Sequence, residues 1–95
     1  MLFKSLKLYL NQEIELEHLS QNLIDFDYKR QEQVCGEGDF SRRGFITDIF
    51  PFSFELPIRI EFDNQKIVSI KTFNPSSGEA LWQHNIVIIL PYKQT

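Results

Sequence analysis

Hydrophobic residues recur along this chain with two periods, and the changes of period divide it into elements. From Leu2 to Leu10 the pattern alternates, with Leu6, Leu8 and Leu10 on one side and Lys7 and Tyr9 on the other. That predicts a half-buried strand, broken by Asn11-Gln12. Over residues 13–26 the period lengthens. Leu16, Leu19, Leu23 and Phe26 recur at three-four-three spacing and form one stripe of an amphipathic helix. Glu13, Glu15 and Glu17 sit near its start, where negative charge suits the dipole, whereas Asp25 and Asp27 sit near its unfavourable end.

The next segment, residues 28–34, is polar between two apolar ends, Tyr28 and Val34. It reads as an exposed strand in which Lys29 and Arg30 discourage edge pairing. Gly36-Glu37-Gly38-Asp39 is a turn. It leads into the stretch about which the rest is organised, residues 38–51, which opens polar and basic and continues with Phe45, Ile46, Ile49 and Phe50. A run apolar on both faces is how a strand buried on both sides reads. Gly44 at its start marks a bend or a close backbone approach, and Pro51 ends it.

Residues 57–62 alternate cleanly. Ile58, Ile60 and Phe62 share one face, and Arg59 and Glu61 share the other, the signature of a core-in, polar-out antiparallel strand. Asp63-Asn64 suits a tight hairpin turn. In residues 66–73 the apolar positions Ile67, Ile70 and Phe73 are three apart, which predicts a bulge or sharp twist near Ser69. Residues 74–78 form a loop by composition, residues 79–84 a short helical turn, and residues 85–90 a last strand closed by Pro91. So many consecutive apolar residues, Ile86 to Leu90, need partners on both faces. The sum is an α+β fold, a mainly antiparallel, twisted sheet with one amphipathic helix packed on a face.

Composition narrows the function. A chain of 95 residues is expected to form a single domain, 1–95. Nine Phe residues suggest an aromatic core, with room for a patch that meets another domain. The net charge of -3 argues against gripping phosphate backbone, although Arg42-Arg43 is a local basic spot. With Cys35 as the one cysteine, no internal disulfide can form, which fits a reducing cytoplasm. No apolar run approaches the roughly 20 residues of a membrane span, so no membrane partner is expected.

Little in the sequence points to catalysis. There is no Gly-rich loop of the Gly-Lys-Ser/Thr type for a nucleotide. His18 and His84 lack ligand spacing with cysteines or carboxylates, so neither a metal nor a cofactor is expected, and the chain is not expected to be an enzyme. Asp48, without a second carboxylate beside it, reads as the maker of a buried or rim hydrogen bond.

What remains is recognition, and here the wording of the chain is specific. Phe40-Ser-Arg-Arg-Gly-Phe-Ile-Thr-Asp-Ile-Phe-Pro51, Pro57-Ile-Arg-Ile-Glu-Phe62 and Ile67-Val-Ser-Ile-Lys-Thr-Phe-Asn-Pro75 follow one another in order, preceded by Tyr28-Lys-Arg-Gln-Glu-Gln-Val34. This series resembles the UvrB-type interaction domain, the module shared by the bacterial transcription-repair coupling factor and the nucleotide-excision-repair protein UvrB. The Arg-Arg-Gly and Asp-Ile-Phe-Pro wording is nearer the coupling factor, and Ser77-Gly78-Glu79-Ala80-Leu81 is nearer UvrB.

The resemblance implies a protein-binding module that docks UvrA, with Arg43, Arg59 and Glu61 at the matching positions and Arg42 beside them. It also implies a module of a larger protein. Its other domains would be further partners, RNA polymerase and DNA would be reached only through the full-length protein, and an ATP-driven DNA translocase would lie elsewhere. At Asp63 the sequence departs from the family, which usually has a second aromatic there; either the partner is bound more weakly, or a nearby residue such as Phe52 or Phe54 substitutes, or Asp63 simply serves the turn, and Phe45 adds apolar area near the site. Two rival readings are a direct nucleic-acid binder using Arg42, Arg43 and the aromatics, and a structural spacer packed on neighbouring domains.

Overall fold

The computed structural model describes residues 4–92; Leu2 and Phe3, expected to begin the first strand, lie outside the described residues. Strands β2 (Lys29–Arg30), β3 (Asp39–Arg43), β4 (Ile46–Ile49), β5 (Ile58–Asp63), β6 (Lys66–Phe73) and β7 (Ala80–Gln83) form one six-stranded sheet in chain order. Within it only the short β2–β3 pairing is parallel. Strands β1 (Leu6–Tyr9) and β8 (Ile86–Ile89) form a separate antiparallel ribbon, with Leu6 opposite Ile89. The single helix among the described residues, α1 (Leu16–Asp25), packs its stripe on the sheet. The fold is α+β, as the patterning predicts.

The helix is shorter than the expected 13–26 because tertiary pairing captures its first residues. Glu13 forms a β-bridge with Lys66, and the Ile14 N–H donates to the Gln65 carbonyl at 2.8 Å. At the other end the two aspartates find their reason. The Asp25 carboxylate accepts from the Gln21 amide at 3.0 Å. Asp27 adopts a left-handed φ of 68°. Its N–H donates to the Ile24 carbonyl at 3.0 Å, and that of Tyr28 to the Leu23 carbonyl at 2.9 Å. This is the six-to-one and five-to-two pair that closes a helix at a left-handed residue, and Asp tolerates that conformation better than most side chains.

The stretch 38–51 is not one strand but a hairpin. Arg43 pairs with Ile46, leaving Gly44-Phe45 as a two-residue turn. Gly44 has a φ of 56°, and glycine at the first of two turn residues suits the twist of the flanking strands. The next turn is Asn64-Gln65, one residue later than expected, because Asp63 still pairs with Lys66; Asn64 takes the left-handed φ of 57°. The bulge expected near Ser69 is present. Glu61 faces Ser69 and Phe62 faces Ile67, so Val68 is the extra residue. Residues 79–84 are also corrected. They form the edge strand β7 rather than a helical turn, and all four strand residues are exposed.

The core lies between the sheet, α1 and the ribbon. Leu8, Leu19, Leu23, Phe40, Ile49, Ile58, Ile60, Ile67 and Ile89 are fully enclosed. Each such side chain contributes roughly 1.5–3 kcal/mol on leaving water. Strand β8 shows only one buried face: Val87 and Ile89 point inward, while Ile86 and Ile88 are half exposed.

Candidate protein-binding face

Alternation along β3, β4 and β5 sends every second residue away from the helix, and the register lines these residues up across the sheet. One row reads Ser41, Asp48, Arg59, Lys71 and Gln83; the next reads Arg43, Ile46, Glu61 and Ser69. Like charges therefore stand directly opposite each other at Arg59 and Lys71. Each is drawn off to a different carboxylate. Arg59 Nε donates to Asp48 Oδ1 at 2.8 Å and its Nη2 to Asp48 Oδ2 at 2.9 Å. Lys71 Nζ reaches Glu61 Oε1 at 3.0 Å.

Burial makes the first of these pairs stronger than a surface contact. Asp48 is 5% exposed, so its charge depends on the guanidinium fork. The Arg59 guanidinium also lies 4.6 Å from the centre of the Phe73 ring, a cation–π contact. Phe73 is itself buried with Val34 and Phe50 in a small second core on this same side of the sheet. The Asp48 carboxylate raises the pKa of Arg59 further. The hydrogen bond from Lys71 holds the Glu61 carboxyl below its ordinary range; burial opposes this and a hydrogen bond with Ser69 assists it. Two of the five N–H donors of Arg59 serve Asp48, which leaves three for another molecule.

Of the sequence-predicted residues, Arg43, Arg59, Glu61 and Asp63 share this side of the sheet by strand alternation. Arg43 is exposed, and its side chain forms no hydrogen bond or ion pair among the described residues. Arg42 projects from the opposite face and reaches Glu17 on α1 at 2.6 Å. Asp63 is exposed at the end of β5. Phe52 and Phe54 pack against the main core instead. Phe45, 56% exposed at the hairpin tip, lines a small cleft with Arg42 and Asn64.

The face forms the floor of a cleft of about 1010 Å³, walled by the segment after β2 and by the loop at Pro75–Gly78. Arg30, Arg42, Arg43 and Arg59 outnumber Glu32 and Asp48 in its lining, so a chain of net charge -3 carries a locally positive groove. Lys71, Ser41 and Phe73 escaped the sequence reading because their roles depend on register, which alternation alone does not set. Among the described residues no group of His, Cys, Asp and Glu could hold a metal ion, and no helix is long and apolar enough to cross a membrane.

By its family, this sheet face with its fixed charge pairs belongs to a protein-interaction domain. The chain belongs to the UvrB interaction domain family, whose pattern matches residues 6–94, and that family places it among the interaction modules of nucleotide-excision repair. It is 40% identical over 80 residues to the UvrABC system protein B of Treponema denticola, covering 84% of this chain and 12% of that protein. It is 34% identical over 82 residues to the transcription-repair-coupling factor of Bacillus subtilis, covering 86% of this chain and 7% of that protein. With the UvrABC system protein B of Bifidobacterium longum the identity is 34% over 88 residues, 93% of this chain and 12% of that protein. The chain thus spans a small part of the length of the relatives it matches.

Proposed function

We propose that the Arg43–Arg59–Glu61 face docks UvrA and so brings the damage-recognition protein to its site. The observation that carries this reading is the contrast between two arginines on one face. Arg59 is held by Asp48 and Phe73, whereas Arg43 is exposed and unpaired among the described residues. A fixed charge pair beside a free guanidinium gives a partner both an orientation and an unmet ion pair. Phe45, exposed at the tip of the β3–β4 hairpin and lining the cleft on the α1 side, adds apolar area at the rim of this face rather than on it. Glu61 and Lys71 form an opposite-sign pair beside it, which favours a partner surface of alternating charge.

The same reading makes the chain one module of a larger protein. Its RNA polymerase and DNA contacts belong to the full-length protein, and other domains of that protein pack on the outward apolar side of the ribbon. The half-exposed Ile86 and Ile88 support that packing. Calorimetry of the 95-residue chain with purified UvrA, beside Arg43→Ala, is the test. Measurable binding that weakens by about 2 kcal/mol, with the melting curve of the variant unchanged, is expected. Binding indifferent to Arg43→Ala moves the site elsewhere. No binding by a folded chain leaves the structural-spacer reading in its place.

A further inference from the structure

A second cleft, of about 680 Å³, lies around the start of β2. Lys29 lines this one while its neighbour Arg30 lines the first. Its charge is reversed. Asp27, Glu37 and Asp39 contribute to its lining against Lys29 alone, which leaves it two charges negative. Its other wall is aromatic. The Tyr28 and Phe52 ring centres are 4.5 Å apart at an interplanar angle of 49°, and those of Phe52 and Tyr92 are 5.1 Å apart at 57°.

The wall is built to hold its shape. The Tyr28 hydroxyl accepts from the Phe52 N–H at 3.0 Å and donates to the Leu90 carbonyl at 3.0 Å, which fixes the ring. Gly38, at a φ of 90°, passes so close to Phe52 that a Cβ there would lie 2.8 Å from the ring. The carboxylates keep capacity to spare. Glu37 Oε1 accepts from the Ser53 N–H at 2.6 Å, and Asp39 Oδ2 from the N–H groups of Cys35 and Gly36 at 3.0 and 3.1 Å. The Asp27 carboxylate has no hydrogen-bond or ion-pair partner among the described residues.

Aromatic faces beside free carboxylate oxygens suit one kind of group above others. A guanidinium stacks its plane on a ring and forks onto a carboxylate, which an ammonium cannot do with the same geometry. Phosphate is repelled by the same charges. We propose that this cleft receives an arginine side chain from an extended basic segment of a partner protein, on a surface separate from the Arg43–Arg59 face. Asp27 and Glu37 pair with the guanidinium, and Phe52 and Tyr92 supply the stacking surface.

The test is a titration of the isotope-labelled chain, followed by amide shifts in nuclear magnetic resonance. The probes are a capped Ser-Gly-Arg-Gly-Ser peptide and its citrulline counterpart, which keeps the shape and removes the charge. Saturable shifts at Asp27, Gly38 and Phe52 are expected, with citrulline at least about tenfold weaker. Asp27→Asn combined with Glu37→Gln, which keeps the carbonyl oxygen facing Ser53, is expected to weaken the arginine peptide by about tenfold. Arg43→Ala is expected to leave it unchanged. Equal binding of the citrulline peptide, shifts confined to the Arg43–Arg59 face, or no saturable shift would overturn the proposal.

Discussion

Arg59 and Asp48 are bound to each other at two points, 2.8 and 2.9 Å, directly opposite one another on the neighbouring strands β4 and β5. The contact joins two tasks. It neutralises a carboxylate that the sheet has buried, and it fixes the guanidinium on the face that carries the proposed docking site.

Removing one partner therefore costs more than removing both. Arg59→Ala leaves Asp48 as a buried uncompensated charge, and a loss of about 3–5 kcal/mol is expected. Combining it with Asp48→Ala is expected to recover a substantial part of that loss. Urea denaturation of the two single variants and the double variant measures the coupling; strictly additive losses would contradict it. For the same reason, Arg43→Ala is the cleaner probe of docking, since Arg43 holds nothing in place.

Tyr28 sets an alkaline limit. Burial pushes its hydroxyl up to about 12, against a hydrogen bond from Phe52 that pulls it down and alongside the charge of Glu37. The neutral form is favoured in the folded state, so its contribution is complete below the ordinary tyrosine value near 10 and is lost as pH rises toward about 12. Tyr28→Phe is expected to lower stability at neutral pH by roughly 1–3 kcal/mol through two lost hydrogen bonds, and to flatten the decline above pH 10. Thermal melts across that range decide it.

Glu61 acts at the other end of the scale. Its carboxyl is held below the ordinary range chiefly by Lys71, so the stability it adds is present above that range and fades as pH falls through the lowered value. Glu61→Gln is expected to make the acid limb slightly shallower and no more, because the pair is partly exposed. An acid denaturation curve identical to that of the parent would show that Lys71 does not hold Glu61 in solution.

Two glycines with positive φ separate backbone strain from crowding. Gly44→Ala meets nothing within 4 Å and is expected to cost about 1–2 kcal/mol, the strain of a left-handed residue. Gly38→Ala carries that strain and also meets the Phe52 ring at 2.8 Å, so it is expected to cost more and to disturb the aromatic cleft. Equal melting temperatures for the two variants would remove the distinction.

The sequence made some of this legible and hid the rest for physical reasons. Strand β5 alternates without interruption, so its inward isoleucines and outward Arg59 and Glu61 could be read directly. The β3–β4 hairpin was hidden because Gly44-Phe45 is a turn of only two residues, and Phe45, which reads as the start of an apolar run with Ile46, Ile49 and Phe50, is exposed at its tip rather than buried. Strand β7 was hidden because an edge strand with all four residues exposed has no alternation to display. The ion pairs of the candidate face were out of reach for a different reason. Alternation tells which residues share a face, but only the register says that Arg59 meets Asp48 and that Lys71 must turn to Glu61.

The pairing of Leu6 with Ile89 has a mechanical consequence. A pull that separates these two residues strains the first rung of the β1–β8 ribbon alone, then the next, so the ribbon peels like a zipper. The six-stranded sheet shares no rung with the ribbon, but Leu8, Val87 and Ile89 pack in its core, so opening the ribbon uncovers that core. A tug of this kind therefore breaks the β1–β8 rungs and bares the inward Leu8, Val87 and Ile89 before it reaches any rung of the charged face, so the ribbon acts as a mechanical fuse.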